Sequence, residues 1–314
     1  VVSMIDNDTS GFAGRSGEFG STTIVNPVSS LRFDLGIGQQ SLILEGLGTG
    51  FDADLTISGD ATDSVQLGNS TQVSLGTGDT IVTAATILVA GDVSTAGAGS
   101  LRLTTQQWIE VTPDGSLVTE SGDIILDSGL TGAFNPGSRA AITVDGGLVS
   151  TATGDIILTG RGGQASQGEV GVRLIGGAQI TSTGSSSDAG QILLDGTSGF
   201  AASGLLTGVL IDGAGTSVTA VDGTISIAGT GRGNTTTASV QGVVIRNGAE
   251  VSSFGMSDEA ARINITGLSD GPSTGSFSIG VSLLTSASLT SHAGDITVSG
   301  TGGVGGGEVS TGVA

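Results

Sequence analysis

Gly122-Asp-Ile-Ile-Leu-Asp returns five more times along the chain. It reads Gly154-Asp-Ile-Ile-Leu-Thr, Gly190-Gln-Ile-Leu-Leu-Asp, Gly223-Thr-Ile-Ser-Ile-Ala, Ala261-Arg-Ile-Asn-Ile-Thr and Gly294-Asp-Ile-Thr-Val-Ser. The first Ile of each copy stands at Ile124, Ile156, Ile192, Ile225, Ile263 and Ile296, with steps of 32, 36, 33, 38 and 33 residues. Self-similarity at such a period is the signature of a repeat architecture. Apolar residues two apart within each copy mark a strand with one buried face.

Two more strands sit at fixed places in each repeat. One reads Ile142-Thr-Val144, Val172-Arg-Leu174, Val209-Leu-Ile211, Val243-Val-Ile245 and Val281-Ser-Leu283. The other is shorter and centres on Val149, Ile180, Val218, Val251 and Leu289. Gly-rich turns such as Asp145-Gly-Gly and Asn247-Gly-Ala join them, as sharp bends with positive φ require. In repeat order these are the first strand (the Ile142 set), the second (the Val149 set) and the third (the Ile124 set). One coil cannot bury its own apolar face, so the coils must stack. The expected fold is all-β: a right-handed parallel β-helix, a three-sheet solenoid, the hand following from the strong bias of parallel crossovers.

Spacing also locates the insertions. Ile87 and Ile109 hold the first-strand position 22 residues apart, and Leu101 and Ile124 the third-strand position 23 apart, so a bare coil takes about 22 residues. Later repeats add residues at 127–140, 160–170, 196–207, 229–241, 267–279 and 301–311. All leave at one corner and are expected to stack as insertion loops along one edge. Residues 1–80 are less regular, an N-terminal β segment that starts or continues the solenoid through Leu31-Arg-Phe-Asp-Leu35, Leu42-Ile-Leu44, Leu55-Thr-Ile57, Val65-Gln-Leu67 and Val73-Ser-Leu75. Residues 81–314 read as β-helix coils. Val1 opens the chain without Met, and Gly312-Val313-Ala314 matches another first strand, so a fragment whose neighbouring coils belong to a longer parent chain is expected.

Composition narrows the function classes. Glycine supplies 58 of 314 residues, and aromatic residues only 3%. Collagen's three-residue period is absent. Mean hydropathy of +0.31 and the regular Ile, Val and Leu positions argue against disorder. Net charge is −20 and every basic residue is Arg, so the chain repels phosphate backbones and anionic lipid. Nucleic acid is therefore not an expected partner. No run of 18 apolar residues is present, so membrane insertion is not expected of this segment. Without cysteine there is no disulfide framework.

The run Leu42-Ile-Leu-Glu-Gly-Leu-Gly-Thr-Gly-Phe-Asp-Ala-Asp-Leu-Thr-Ile-Ser-Gly-Asp, followed by coils of the form Gly-Asp-Ile-x-Leu-Thr-Gly-x-Gly-Gly and Gly-Val-x-Leu, resembles the giant β-strand-repeat surface proteins of planctomycetes and cyanobacteria. These are similar to filamentous-haemagglutinin-type adhesins. The resemblance spans roughly residues 25–314. It implies a large secreted bacterial protein, extracellular or on the cell surface, built for attachment. Gly36-Ile-Gly-Gln-Gln lacks the acidic residues common in that family's related stretch, and Asn26-Pro27 alone does not supply its secretion segment.

Candidate sites are few. β-Helix enzymes acting on polysaccharides need clustered carboxylates with basic residues nearby. Lys is absent, and the single His292 sits in a turn, so no catalytic constellation and no enzyme activity are expected. Asp52, Asp54, Asp60 and Asp63 lie close together in Gly-rich turns and suggest a calcium site, since Ca²⁺ takes six to eight oxygen ligands. Phe51-Asp-Ala-Asp-Leu55 is out of step with the known calcium-binding glycine repeat, and solvated turn acids are the alternative. No other cofactor is expected. Asp123, Asp155 and Asp295 share one coil position, where Gln191, Thr224 and Arg262 interrupt a like-charge ladder. Stacked acids there are expected to cost energy. Phe134, Phe200 and Phe277 fall in insertions and are expected to fold back on the adjacent sheet, the alternative being contact with a partner. Trp108 precedes inward Ile109, so it points outward, under the 127–140 insertion.

The leading expectation is a structural or adhesive module, a rod presenting loops to other surface or matrix proteins or to glycans. The alternatives are a carbohydrate-binding or carbohydrate-cleaving β-helix, and a self-associating filament or extracellular matrix subunit.

Overall fold

The computed structural model describes residues 2–6, 29–47, 50–69, 72–129, 139–167, 170–185, 187–233, 239–256, 261–270, 277–303 and 309–314. Every regular element among them is a strand. The fold is an all-β, solenoid-like stack of parallel strands.

Apart from Val2–Asp6, the strands pair in parallel with their counterparts in neighbouring repeats. The third-strand column runs Leu31, Leu55, Thr80, Leu101, Ile124, Ile156, Ile192, Ile225, Ile263, Ile296. The first-strand column runs Leu42, Val65, Ile87, Ile109, Ile142, Val172, Val209, Val243, Val281, Val313. The second-strand column runs Val73, Val93, Leu117, Val149, Ile180, Val218, Val251, Leu289. The irregular strands between residues 30 and 75 therefore join the same columns as the later repeats. A step of 22 residues and one of 38 both advance the stack by one level, because the extra residues leave the column and return to it.

The columns converge on one apolar interior. Ile124, Ile156, Ile192, Ile225 and Ile263 are fully buried within a single cluster that runs from Leu35 to Val281. Ile296 keeps the same register but is 41% exposed, because no further coil covers it. Burying each such side chain contributes roughly 1.5–3 kcal/mol, so the cluster is the main stabilising term of the chain.

Two of the three columns merge. Thr80–Val89 and Leu101–Val111 each run unbroken from the third-strand position to the first, with a register shift between Ala84 and Thr86. A bulge of this kind bends a strand without ending it. The second-strand column forms an eight-stranded sheet of its own. Val2–Asp6 adds the only antiparallel pairing among the described residues, against Gln40–Leu44. It covers that strand's edge, which would otherwise present unpaired backbone groups.

The later insertions differ from the loops expected of them. The third strands continue to Arg161, Thr197, Arg232, Asp270 and Thr301. The following first strands begin early, at Leu205, Ser239, Phe277 and Val309. The extra residues thus make two strand walls. At their neck Gly160, Gly196, Gly229, Gly267 and Gly300 stack in register. They face Gly171, Gly208, Gly242, Gly280 and Gly312, and a Cβ at any of the first five would run into the carbonyl oxygen of its opposite glycine. Beyond the neck, Leu206 and Val240 are buried neighbours within one wall, and the two walls touch through Ser269 and Ser278, whose hydroxyls lie 2.7 Å apart.

Candidate functional site

The four turn acids fall at two corners. Asp52 Oδ1 accepts hydrogen bonds from the Thr77 backbone N–H and hydroxyl one coil on, the latter at 2.7 Å. The Thr77 backbone N–H, then its hydroxyl, hold the Asp52 carboxyl below the usual carboxylate range. Asp54 Oδ1 accepts the Asp79 N–H at 3.0 Å. Asp60 accepts the Thr62 hydroxyl at 2.7 Å and its N–H at 2.8 Å, and these bonds lower its pKa in that order. Asp63 is fully buried and receives the N–H of Gln40 at 2.8 Å and of Asp60 at 2.6 Å. Among the described residues no group of three or more His, Asp or Glu side chains is arranged to hold a metal ion.

The acidic position of the repeat has a structural task. Asp79 Oδ1 accepts the Ser100 N–H, Ser100 Oγ the Asp123 N–H, Asp123 Oδ1 the Asp155 N–H, and Asp155 Oδ1 the Gln191 N–H, at 2.8–3.2 Å. Each side chain reaches up one coil and caps the backbone donor that stands one residue before its strand begins. The expected like-charge cost is thus offset by charge-assisted hydrogen bonds. A parallel row of hydroxyls ties the same corner from inside. Thr95, Thr119 and Ser182 donate to the carbonyls of Gly99, Gly122 and Gly190 at 2.6–2.7 Å.

Among the described residues, Phe200 and Phe277 differ in exposure and do not form an exposed row. Phe134 lies outside the described residues. Phe200 is partly buried and begins the strand Phe200–Ser203, while Phe277 begins Phe277–Leu284 and is 43% exposed. His292 is exposed, and its N–H donates to the Ser253 carbonyl.

One recess on the outer face brings chemistry-bearing side chains together. Glu110, Thr143 and Arg173 occupy the outward position of the first strand in three successive coils. With Trp108, Ile109, Arg139 and Ala140 they line a cleft of about 210 Å³. The Arg139 guanidinium lies 4.9 Å from the centre of the Trp108 ring and donates to Glu110 Oε2 at 2.8 Å. Arg139 thus covers the ring from the end of the 127–140 insertion. Arg173 Nε is buried and has no hydrogen-bond partner among the described residues. Sequence reasoning placed Trp108 on the outer face but missed the cleft. Glu110, Thr143 and Arg173 are the middle residues of the apolar-x-apolar strand motif, so aligning the motifs would have found that column. Arg139 could not be found this way, because its position depends on the path of the insertion.

Comparison with protein-family models, with curated proteins and with solved structures finds no match to this chain.

Proposed function

We propose that the chain is a non-catalytic structural and adhesive module of a large exported surface protein. In this reading it is a right-handed β-helix with three faces, a stiff spacer that carries a stacked extension along one edge. The observation that carries the reading is the column register, in which ten successive levels of the first-strand column keep their apolar partners whatever the length of the insertion between them. The acids at the corners support it too. They cap backbone N–H groups of the next coil, a holding task and not a chemical one. The resemblance to β-strand-repeat surface proteins supports attachment outside the cell, to glycans or to other surface and matrix proteins.

A second reading, carbohydrate recognition coupled to cleavage, draws on the Trp108 and Arg173 cleft. Incubation with immobilised and soluble polysaccharides separates the two. The proposal expects retention on a surface or glycan with no product. Oligosaccharides released over time would contradict it.

A further inference from the structure

We propose that the cleft between Trp108 and Arg173 is a binding site for a carboxylate-bearing sugar, one uronate residue of an acidic glycan. The proposal rests on the attachment part of the reading above and names its chemistry. Nine Arg are the only strong cations in a chain of net charge −20, yet two of them line this one recess. Glu110 pairs with Arg139, which leaves the Arg173 charge with no carboxylate partner among the described residues. Among the described residues its buried Nε lacks an acceptor, and a ligand carboxylate would supply one. A planar carboxylate fits the guanidinium fork in two parallel hydrogen bonds.

The rest of the cleft fits a sugar ring. Trp108 lines the recess with an aromatic ring and a polar handle, the kind of side chain that anchors recognition sites, and the Arg139 guanidinium stands over that ring. The Thr143 hydroxyl and the Glu110 carboxylate supply an added donor and acceptors for ring hydroxyls. About 210 Å³ is smaller than the roughly 300–1,000 Å³ of pockets for drug-sized ligands, so the recess takes one ring of a chain and not a folded oligomer. The chain's negative charge is spread along its length, and at physiological salt charges more than about 8 Å from the cleft are largely screened, so the net charge does not bar an anion. Arg139, over the Trp108 ring and paired with Glu110, forms one wall of the recess.

Titration calorimetry with the whole chain tests this, using trigalacturonate, neutral galactotriose and a sulfated galactan. Trigalacturonate is expected to bind saturably and galactotriose not at all. Arg173→Gln is expected to weaken trigalacturonate binding at least tenfold with an unchanged melting curve, and Arg173→Lys to weaken it less. Trp108→Ala is expected to weaken it as well. No saturable uronate binding overturns the proposal, as does uronate binding unaltered in Arg173→Gln. Preference for the sulfated galactan would overturn the carboxylate assignment. Retention on other glycans without uronate binding would sink this site and leave the attachment reading standing.

Discussion

At the scale of single residues, polar side chains decide how one coil is fastened to the next. Asp63 is the clearest case, a buried carboxylate whose two oxygens receive backbone N–H groups of Gln40 and Asp60. Asp63→Ala would strand both donors, and a loss of roughly 2–4 kcal/mol is expected from hydrogen bonds to a charged acceptor. Asp63→Asn should lose less, and chemical denaturation of the two variants checks the order. Asp52 contributes through its lowered pKa, set first by the Thr77 N–H and then by its hydroxyl. A carboxyl depressed on folding adds stability above its unfolded pKa and loses it as pH falls through the folded value. Thr77→Ala should therefore raise the Asp52 titration toward the ordinary carboxylate range, as read by NMR of the side-chain carbon. Because these acids already accept hydrogen bonds, millimolar calcium is expected to leave the melting temperature unchanged. A clear upward shift would support the calcium site. The repeating Asp was legible in the sequence, but its purpose was not. Asp155 and the Gln191 N–H it caps stand 36 residues apart, and only the coil register brings them together.

Between residue and molecule stand the strands and the walls they extend into. The Ile-x-Leu and Val-x-Leu patterns gave away the first and third columns of the later repeats, because alternation along a strand is written in the residues themselves. The insertions were legible by length alone. Their conformation was hidden because it depends on two glycine rows meeting face to face, and glycine spacing looks the same in a flexible loop. Gly229 and Gly242 lie at that neck. Gly229→Ala places a methyl group against the Gly242 carbonyl oxygen, and both partners are backbone, so neither can swing aside. We expect a loss of about 1–3 kcal/mol, the usual cost of overpacking. Gly177→Ala, at a turn with open space around the added carbon but φ of +89°, tests backbone strain alone. Thermal melts of both separate contact from conformation. Equal and negligible effects would mean the walls do not close on each other.

For the whole molecule, the claim is that depth in the stack depends on the count of coils and not on the count of residues. Sequence carried this far, since six Ile positions named the repeat, yet it left residues 1–80 as a separate irregular segment. Their strands are short and their steps vary, so no period emerges until register with Leu101 and Ile109 is known. The outward positions Thr56, Ser226, Asn264 and Thr297 lie on one column, with eight pairings between the first and the last. The chain contains no cysteine, so spin labels can be placed on chosen pairs alone. Double electron–electron resonance on Thr56→Cys combined in turn with Ser226→Cys, Asn264→Cys and Thr297→Cys is the most direct measurement. At about 4.8 Å per coil the distances should rise in even steps to roughly 38 Å for the last pair. Steps that instead follow the number of intervening residues, or broad distributions without a defined distance, would contradict the stacked architecture.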